Sequence, residues 1–388
     1  MHATQVLQKC LGKVIADMDP RRLRTLALAV QALLAGRRLV LMDLARSFPG
    51  ARRVRAPLKR LDRLLGNPHL HAVVEHFYGG LTHWLVRQPQ PLIVVDWSDL
   101  RADQSLQLLR AALAVGGRSL TLYEQIYPQR LLGSARAERQ FLRRLSALLP
   151  AGTTPVIVTD AGFRQRWFRD LRRLGWDYVG RVRGRVTACV VPGTWQPLRT
   201  LYAAAHTTPQ TFGDAKLWRS RPWSCRLLLV RRPRRGRQAK TLFGQPRRSR
   251  RSRKAAARAR DPWLLATSLD AAPARIIALY AQRMQIEQSF RDLKSSRYGV
   301  AFELSLTRSA ARLGVLLLLL ALATFVAWIA GLICTARHLE AHCVPQPNQA
   351  RRRYSIIRVG WEALRRPWRP DPFAQPPPDT LLAAALNS

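Results

Sequence analysis

Acidic residues are what this sequence most lacks. Its 388 residues hold 23 Asp plus Glu against 65 Lys plus Arg, a formal net charge of +42. An excess of that size needs counter-charge. A polyphosphate backbone is the natural source, with anionic lipid or acidic protein as the alternatives. Most of the cations are arginine, whose fork suits phosphate oxygens. A GC-rich genome would also favour arginine codons, but it would not remove the acids. Cysteine is scarce as well. Cys10, Cys189, Cys225, Cys334 and Cys343 are odd in number, scattered and without a CxxC pair. That pattern argues against a disulfide framework or a zinc ribbon and fits a reducing compartment. His338, His342 and Cys343 have helical spacing that suits zinc, yet no further ligand accompanies them. No Walker-type glycine loop is present, so ATP is not expected. The N-terminal segment shows neither the long apolar core nor the cleavage site of a secretory signal.

Long apolar runs are missing too, with one exception. Residues 313–334, LGVLLLLLALATFVAWIAGLIC, carry no charge and are long enough to cross a bilayer. A helix that is apolar on every side is also what a large domain buries at its centre. We expect the buried helix and no membrane partner, because the segment stands alone and directly follows a helix assigned below to catalysis.

The remaining sequence, 47% hydrophobic, has the composition of a globular chain. Residues 1–75 read as helical and basic, with helices expected over 21–34, 39–47 and 56–65. Pro49 and Gly50 mark the turn between the last two. The third helix carries Lys59, Arg60 and Arg63, so the pair has the form of a helix-turn-helix DNA reader. From Pro91 the pattern changes. Residues 92–95 form a buried strand ending at Asp96, and runs over 106–115 and 118–127 are joined by Gly116-Gly117, a hairpin signal. A helix over 135–149 follows, then a strand over 155–158 ending at Thr159-Asp160, a helix over 165–174 and a strand over 178–182. This order predicts an α/β fold with a ribonuclease-H-like core and a mixed sheet. Residues 231–261 form a strongly basic stretch, read as either a solvated loop or an arm that tracks a DNA backbone. Helical pattern resumes at Ala274 and carries through Lys294. We divide the chain into 1–88, a helical DNA-binding domain; 89–183, the first part of the catalytic core; 184–270, a β-rich insertion with its basic loop; 271–340, the second part of the core; and 341–388, a C-terminal helix and tail.

Because acids are few, those at strand ends stand out. Phosphoryl transfer to DNA needs the pentavalent phosphorus shielded between attacking and leaving oxygens, and two hard divalent cations held by carboxylates do this. Asp96 and Asp160 each end an apolar strand. Either one alone reads as a turn cap; the two together read as metal ligands. Asp99 competes with Asp96, which is preferred because it sits directly on the strand. Glu287 supplies a third carboxylate from YAQRMQIEQSFRDLK, 280–294. On one continuous helix Tyr280, Arg283, Glu287, Arg291 and Lys294 would fall in a stripe about 80° wide. That stripe is either i,i+4 ion pairing on a surface helix or a metal ligand ringed by phosphate clamps. Asp292 points off the stripe and is expected at the surface.

The spacing of Tyr280, Arg283, Glu287 and Lys294 resembles the YREK signature of a family of bacterial insertion-sequence transposases, insertion sequence family four, which cut and paste DNA. IVVDWSDLR, VTDAGFR, LGWDYVGRVRG and DPWLLATSL extend the resemblance over about residues 20–365. The resemblance implies a ribonuclease-H-like fold with a β-rich insertion before the last catalytic helix, and catalysis by Asp96, Asp160 and Glu287 with Mg2+, Mn2+ being the alternative. It further implies hairpin-ended excision of the element, double-stranded DNA at element ends and target as partners, and a homodimer in a synaptic complex in the nucleoid-containing cytoplasm. Tyr280, Arg283 and Lys294 would then hold phosphates. Trp263 would stack on a flipped base, against the plainer reading of packing at a strand start. The long basic stretch before Trp263 departs from the family and leaves the path of the insertion open. The rival readings are a ribonuclease-H-like nuclease without strand transfer, a non-catalytic DNA-binding regulator, and a membrane protein anchored by 313–334.

Overall fold

The computed structural model describes residues 18–232, 261–345 and 354–368 without interruption, together with isolated positions elsewhere. Most of the basic stretch and the proline-rich tail therefore lie outside the described residues. The chain divides into two compact units. One contains Met1–Pro155 and Gln282–Ser388, the other Val156–Ala281.

The first unit opens with four helices, α1 (Pro20–Gly36), α2 (Leu41–Arg46), α3 (Arg55–Leu65) and α4 (Pro68–Leu85). Local chemistry sets their starts. Asp19 caps α1 by accepting from Arg22 N–H at 2.9 Å, and Asn67 caps α4 by accepting from the His69 and Leu70 N–H groups. Proline at the first position of both helices already has the right φ. The first three helices start and stop within two residues of their expected limits. The fourth was not singled out in the sequence.

Three antiparallel strands follow, β1 (Leu92–Asp99), β2 (Leu106–Ala114) and β3 (Ser119–Pro128). Gly116 and Gly117, at φ 71° and 97°, turn the β2–β3 hairpin through conformations that side chains disfavour. α5 (Ala135–Leu148) packs on β3.

The second unit is a mixed sheet in the order β4-β5-β10-β9-β8-β6-β7. Its strands are β4 (Val156–Thr159), β5 (Asp177–Arg181), β6 (Thr187–Val191), β7 (Thr194–Pro197), β8 (Gln210–Leu217), β9 (Trp223–Val230) and β10 (Trp263–Thr267). β4 and β5 are parallel, as a strand–helix–strand unit requires, with α6 (Gln165–Arg173) as the crossover. The later strands pair antiparallel, and β10 joins β5 to β9. The expected β-rich segment is thus continuous with β5 through β10. α7 (Pro273–Ala281) closes this unit.

Back in the first unit come α8 (Met284–Lys294), α9 (Ala310–Ala336), the single turn α10 (Glu340–Cys343) and α11 (Ile356–Ala363). α9 is the apolar segment. It packs against α1, α4, α11 and β3, and 89% of its most hydrophobic window is buried inside the protein. Trp84 of α4 sets its edge against Phe325 and Trp328 of α9, with ring centroids 4.9 and 6.3 Å away. It is a core helix. α11 lies backbone-to-backbone on it, because Gly331 and Gly360 carry no Cβ where the chains meet.

One expectation fails here. Residues 280–294 do not form a single helix: α7 stops at Ala281, α8 starts at Met284, and Gln282 and Arg283 form a turn. The backbone tightens to i,i+3 bonds, Gln285 N–H to Gln282 O and Ile286 N–H to Arg283 O. The Gln285 side chain is drawn to the hairpin tip, where its oxygen accepts from Val115 and Gly117 N–H. Helical periodicity does not register a break of this kind, nor the tertiary contact that accompanies it.

Candidate active site

β1 is a buried strand because Ile93, Val94 and Val95 are fully enclosed. Asp96 continues it and is itself only 9% exposed. A carboxylate there is costly unless something positive faces it. Two elements do so. Across the ladder Asp96 lies opposite Arg110 of β2, and Arg110 lies opposite Glu124 of β3, so acid, base and acid form a row on one face of three strands. From above, Arg283 brings its Nη1 3.5 Å from Asp96 Oδ2 and its Nη2 2.7 Å from Glu287 Oε1. Residues 191 positions apart in the chain, Asp96 and Glu287, thus share one guanidinium.

The base of this site is held by charge that the sequence reading did not select. Arg110 reaches Glu124 Oε2 at 2.6 and 2.7 Å, Tyr78 of α4 donates to Glu124 Oε1 at 2.7 Å, and the ring of Phe290 from α8 lies 4.9 Å from the Arg110 guanidinium. Burial and the adjacent carboxylate push the Tyr78 phenol far above its ordinary pKa, so it stays protonated and donates. The signal was present in the sequence. Arg110 and Glu124 are the lone charges in otherwise uncharged strands, at positions that the Gly116-Gly117 hairpin pairs.

Lys294 ends α8 half-buried. Its pKa is lowered by burial, against the opposing pull of Asp99 and Glu303. Asp99 accepts from Gln107 at 2.9 Å and Gln104 at 3.3 Å, and so belongs to the Lys294 end of the strand. Asp292 is no idle surface residue, since it pairs with Arg118 of the hairpin at 2.5 Å. Arg291 is exposed and lines a cavity that Glu287 does not join.

The other expected residues lie in the second unit. Asp160 follows β4 and accepts from Gly162 N–H at 2.6 Å, the turn-capping bond a post-strand aspartate makes. A Cβ at Gly162 would come 2.9 Å from the carboxylate oxygen, so a larger residue there would have to displace the Asp160 side chain from this bond. Tyr280 is buried at the end of α7, its ring edge-on to Trp263 at 4.7 Å. Trp263 starts β10 half-buried, with the Arg232 guanidinium 5.3 Å from its ring centre. The structure thus brings Asp96, Arg283 and Glu287 together in one unit, and Trp263 with Tyr280 in the other.

Among the described residues, no group of three or more His, Cys, Asp or Glu side chains stands ready to hold a metal ion. The chemistry of the pair in the first unit nevertheless fits one. Two carboxylates converge on a single cationic group, and hard carboxylate oxygens are the donors that Mg2+ and Mn2+ prefer.

A second basic region lies on the N-terminal helices. Lys59, Arg60 and Arg63 project from α3 into solvent. With Arg21 and Arg22 of α1 and the Pro49–Gly50 turn they line a cleft of about 620 Å³. Arg60 is steadied over the Phe48 ring at 5.9 Å.

Comparison with known families adds one match. A family model described as the transposase DDE domain matches residues 87–324, more than half of the chain. No curated protein matches the chain.

Proposed function

From the premise that the chain belongs to the DDE transposase family, enzymes that act on DNA, we propose that it is a cut-and-paste transposase of the YREK type with Asp96, Asp160 and Glu287 as its acidic residues. The observation that carries the reading is the convergence of Asp96 and Glu287 on Arg283 from distant parts of the sequence. Bound Mg2+, or Mn2+ in its place, would take carboxylate oxygens of Asp96 and Glu287, with Asp160 the further ligand that the resemblance implies, and would activate the attacking oxygen and neutralise the leaving one.

The chain's own residues do the rest. Buried strand β1 fixes Asp96 in position. Arg283 holds Glu287 against it, and its planar guanidinium is the kind of cation that suits a phosphate oxygen. Lys294 offers a partly desolvated ammonium to the backbone of the cleaved strand, and Tyr280 and Arg291 add contacts to it. Trp263 offers an indole face to a base drawn out of the helix, next to Tyr280. The cleft at α3 binds the element end through Lys59, Arg60 and Arg63. In this reading one strand is cut at the element end, the freed 3′-hydroxyl closes a hairpin on the opposite strand, and the reopened end joins target DNA. Two copies of the chain pair the two ends in a synaptic complex, in the cytoplasm where the nucleoid lies.

The test uses purified protein and duplexes carrying inverted repeats taken from the DNA that flanks the gene. Metal-dependent cleavage and joining to a second duplex are expected, and Asp96→Ala, Asp160→Ala or Glu287→Ala abolishes both while leaving binding of the end in place. Cleavage by Glu287→Ala at the wild-type rate overturns the assignment. Cleavage without joining makes the protein a nuclease instead.

A further inference from the structure

α8 has a second side with a different character. Arg291 and Asp292 of α8 contribute to a cavity of about 420 Å³, within the size range of small-molecule sites. Arg37, Arg110, Arg118 and Arg358 bring four more guanidiniums to the same wall. The carboxylates that answer them are fewer. Asp292 pairs with Arg118, Glu124 with Arg110, and the single Glu362 serves Arg37 at 2.6 Å, Arg358 at 2.8 Å and Arg365 at 3.7 Å. Arg291 has no ion-pair partner among the described residues. Burial and the neighbouring Arg358 lower the pKa of Arg37, a strain that an anion would relieve.

The rest of the lining mixes aliphatic, aromatic and hydroxyl-bearing side chains. Tyr298, Tyr354 and Trp361 supply aromatic rings, and Thr121 and Thr324 supply hydroxyls. Trp361 is 7% exposed and has the Arg37 guanidinium 5.9 Å from its ring. Trp361 Nε1 and Arg358 Nε are buried without an acceptor, which protein interiors seldom leave so. An inorganic anion would use the arginines but not the rings. An aromatic body would use the rings but not the arginines. A ligand with a phosphate at one end and a flat base at the other uses both.

We propose that this cavity binds a nucleotide through its phosphate, either a free nucleoside phosphate or the 5′-terminal nucleotide of a strand. Neither Asp96 nor Glu287 lines the cavity, although Arg110 and Arg291 border it, so failure of the acidic pair's assignment would not remove the cavity.

Calorimetric titration of the full chain tests it, using deoxyadenosine monophosphate, deoxyadenosine and inorganic phosphate as probes. Because a chain of charge +42 attracts any anion, the comparison among the three carries the result. Deoxyadenosine monophosphate is expected to bind at least tenfold more tightly than either fragment. Arg358→Gln, which removes a cation, and Thr324→Phe, which fills the space without changing charge, each weaken it tenfold or more while thermal unfolding stays cooperative. A 5′-phosphorylated trinucleotide that binds tighter still identifies a strand end as the source; one that binds no tighter identifies the free nucleotide. The proposal is overturned if the monophosphate binds no better than inorganic phosphate. It is equally overturned if both variants keep wild-type affinity.

Discussion

Removing Glu124 should cost the protein a large share of its stability, although the residue touches no substrate. Arg110 and Glu124 have side chains only 4% and 2% exposed. Glu124→Ala takes away both Arg110 bonds, at 2.6 and 2.7 Å, and the acceptor of the Tyr78 phenol at 2.7 Å. What remains is a guanidinium enclosed beneath Phe290 with only Asp96 opposite it on the ladder. Breaking a buried pair in this way costs about 3–5 kcal/mol, because one charge stays desolvated and uncompensated. Natural domains have total stabilities of roughly 5–15 kcal/mol, so the variant sits near the edge of folding. Replacing both partners, Arg110→Met with Glu124→Leu, removes the uncompensated charge and should recover most of the loss, leaving a deficit within about 2 kcal/mol, since apolar replacements of buried pairs are often neutral or better. Urea unfolding followed by tryptophan fluorescence and far-ultraviolet dichroism gives both numbers from the midpoint, provided the slope is unchanged. A cost below about 1 kcal/mol for Glu124→Ala would mean that the pair is solvated in solution and would refute the reasoning.

Three further outcomes follow from other elements. The lowered pKa of Lys294 means that folding is penalised below the folded value, and that the penalty lifts as pH rises towards the ordinary lysine value of about 10.4. Lys294→Met should therefore melt no lower than wild type at neutral pH, with the difference shrinking at alkaline pH, while DNA cleavage is lost; a melting temperature clearly below wild type at pH 7 contradicts this. Gly360→Ala would place a Cβ 1.7 Å from Ala327 O, so α11 must lift from α9, at a cost of about 1–3 kcal/mol or more by overpacking in a thermal melt; an unchanged midpoint shows that the two helices do not approach so closely. Replacing Lys59, Arg60 and Arg63 together by alanine should flatten the salt dependence of DNA binding by up to about 0.9 log unit for each phosphate that is no longer neutralised, and an unaltered slope in filter binding places the DNA-binding surface elsewhere.

Parts of this protein were readable without coordinates. The strands around Asp96 and Asp160, the Gly116-Gly117 hairpin and the basic α3 follow from apolar runs, glycine conformation and spacing, all properties of a few neighbouring residues. The cationic excess called for a polyanionic partner, with DNA the natural one and lipid or acidic protein the alternatives. Other features were decided only when distant segments met. Hydropathy could not tell whether 313–334 lies in lipid or in protein, because both remove apolar surface from water; α1, α4, α11 and β3 supply the cover. Periodicity drew one helix through 280–294, yet a bond from Gln285 to the hairpin tip accompanies a break in it. The Asp96–Arg110–Glu124 row and the shared Arg283 depend on strand register and helix placement, which fix the partners of a buried charge. Local sequence specifies which residues prefer to be buried or extended, but a buried charge is stable only beside its partner, and that pairing exists only in the folded chain.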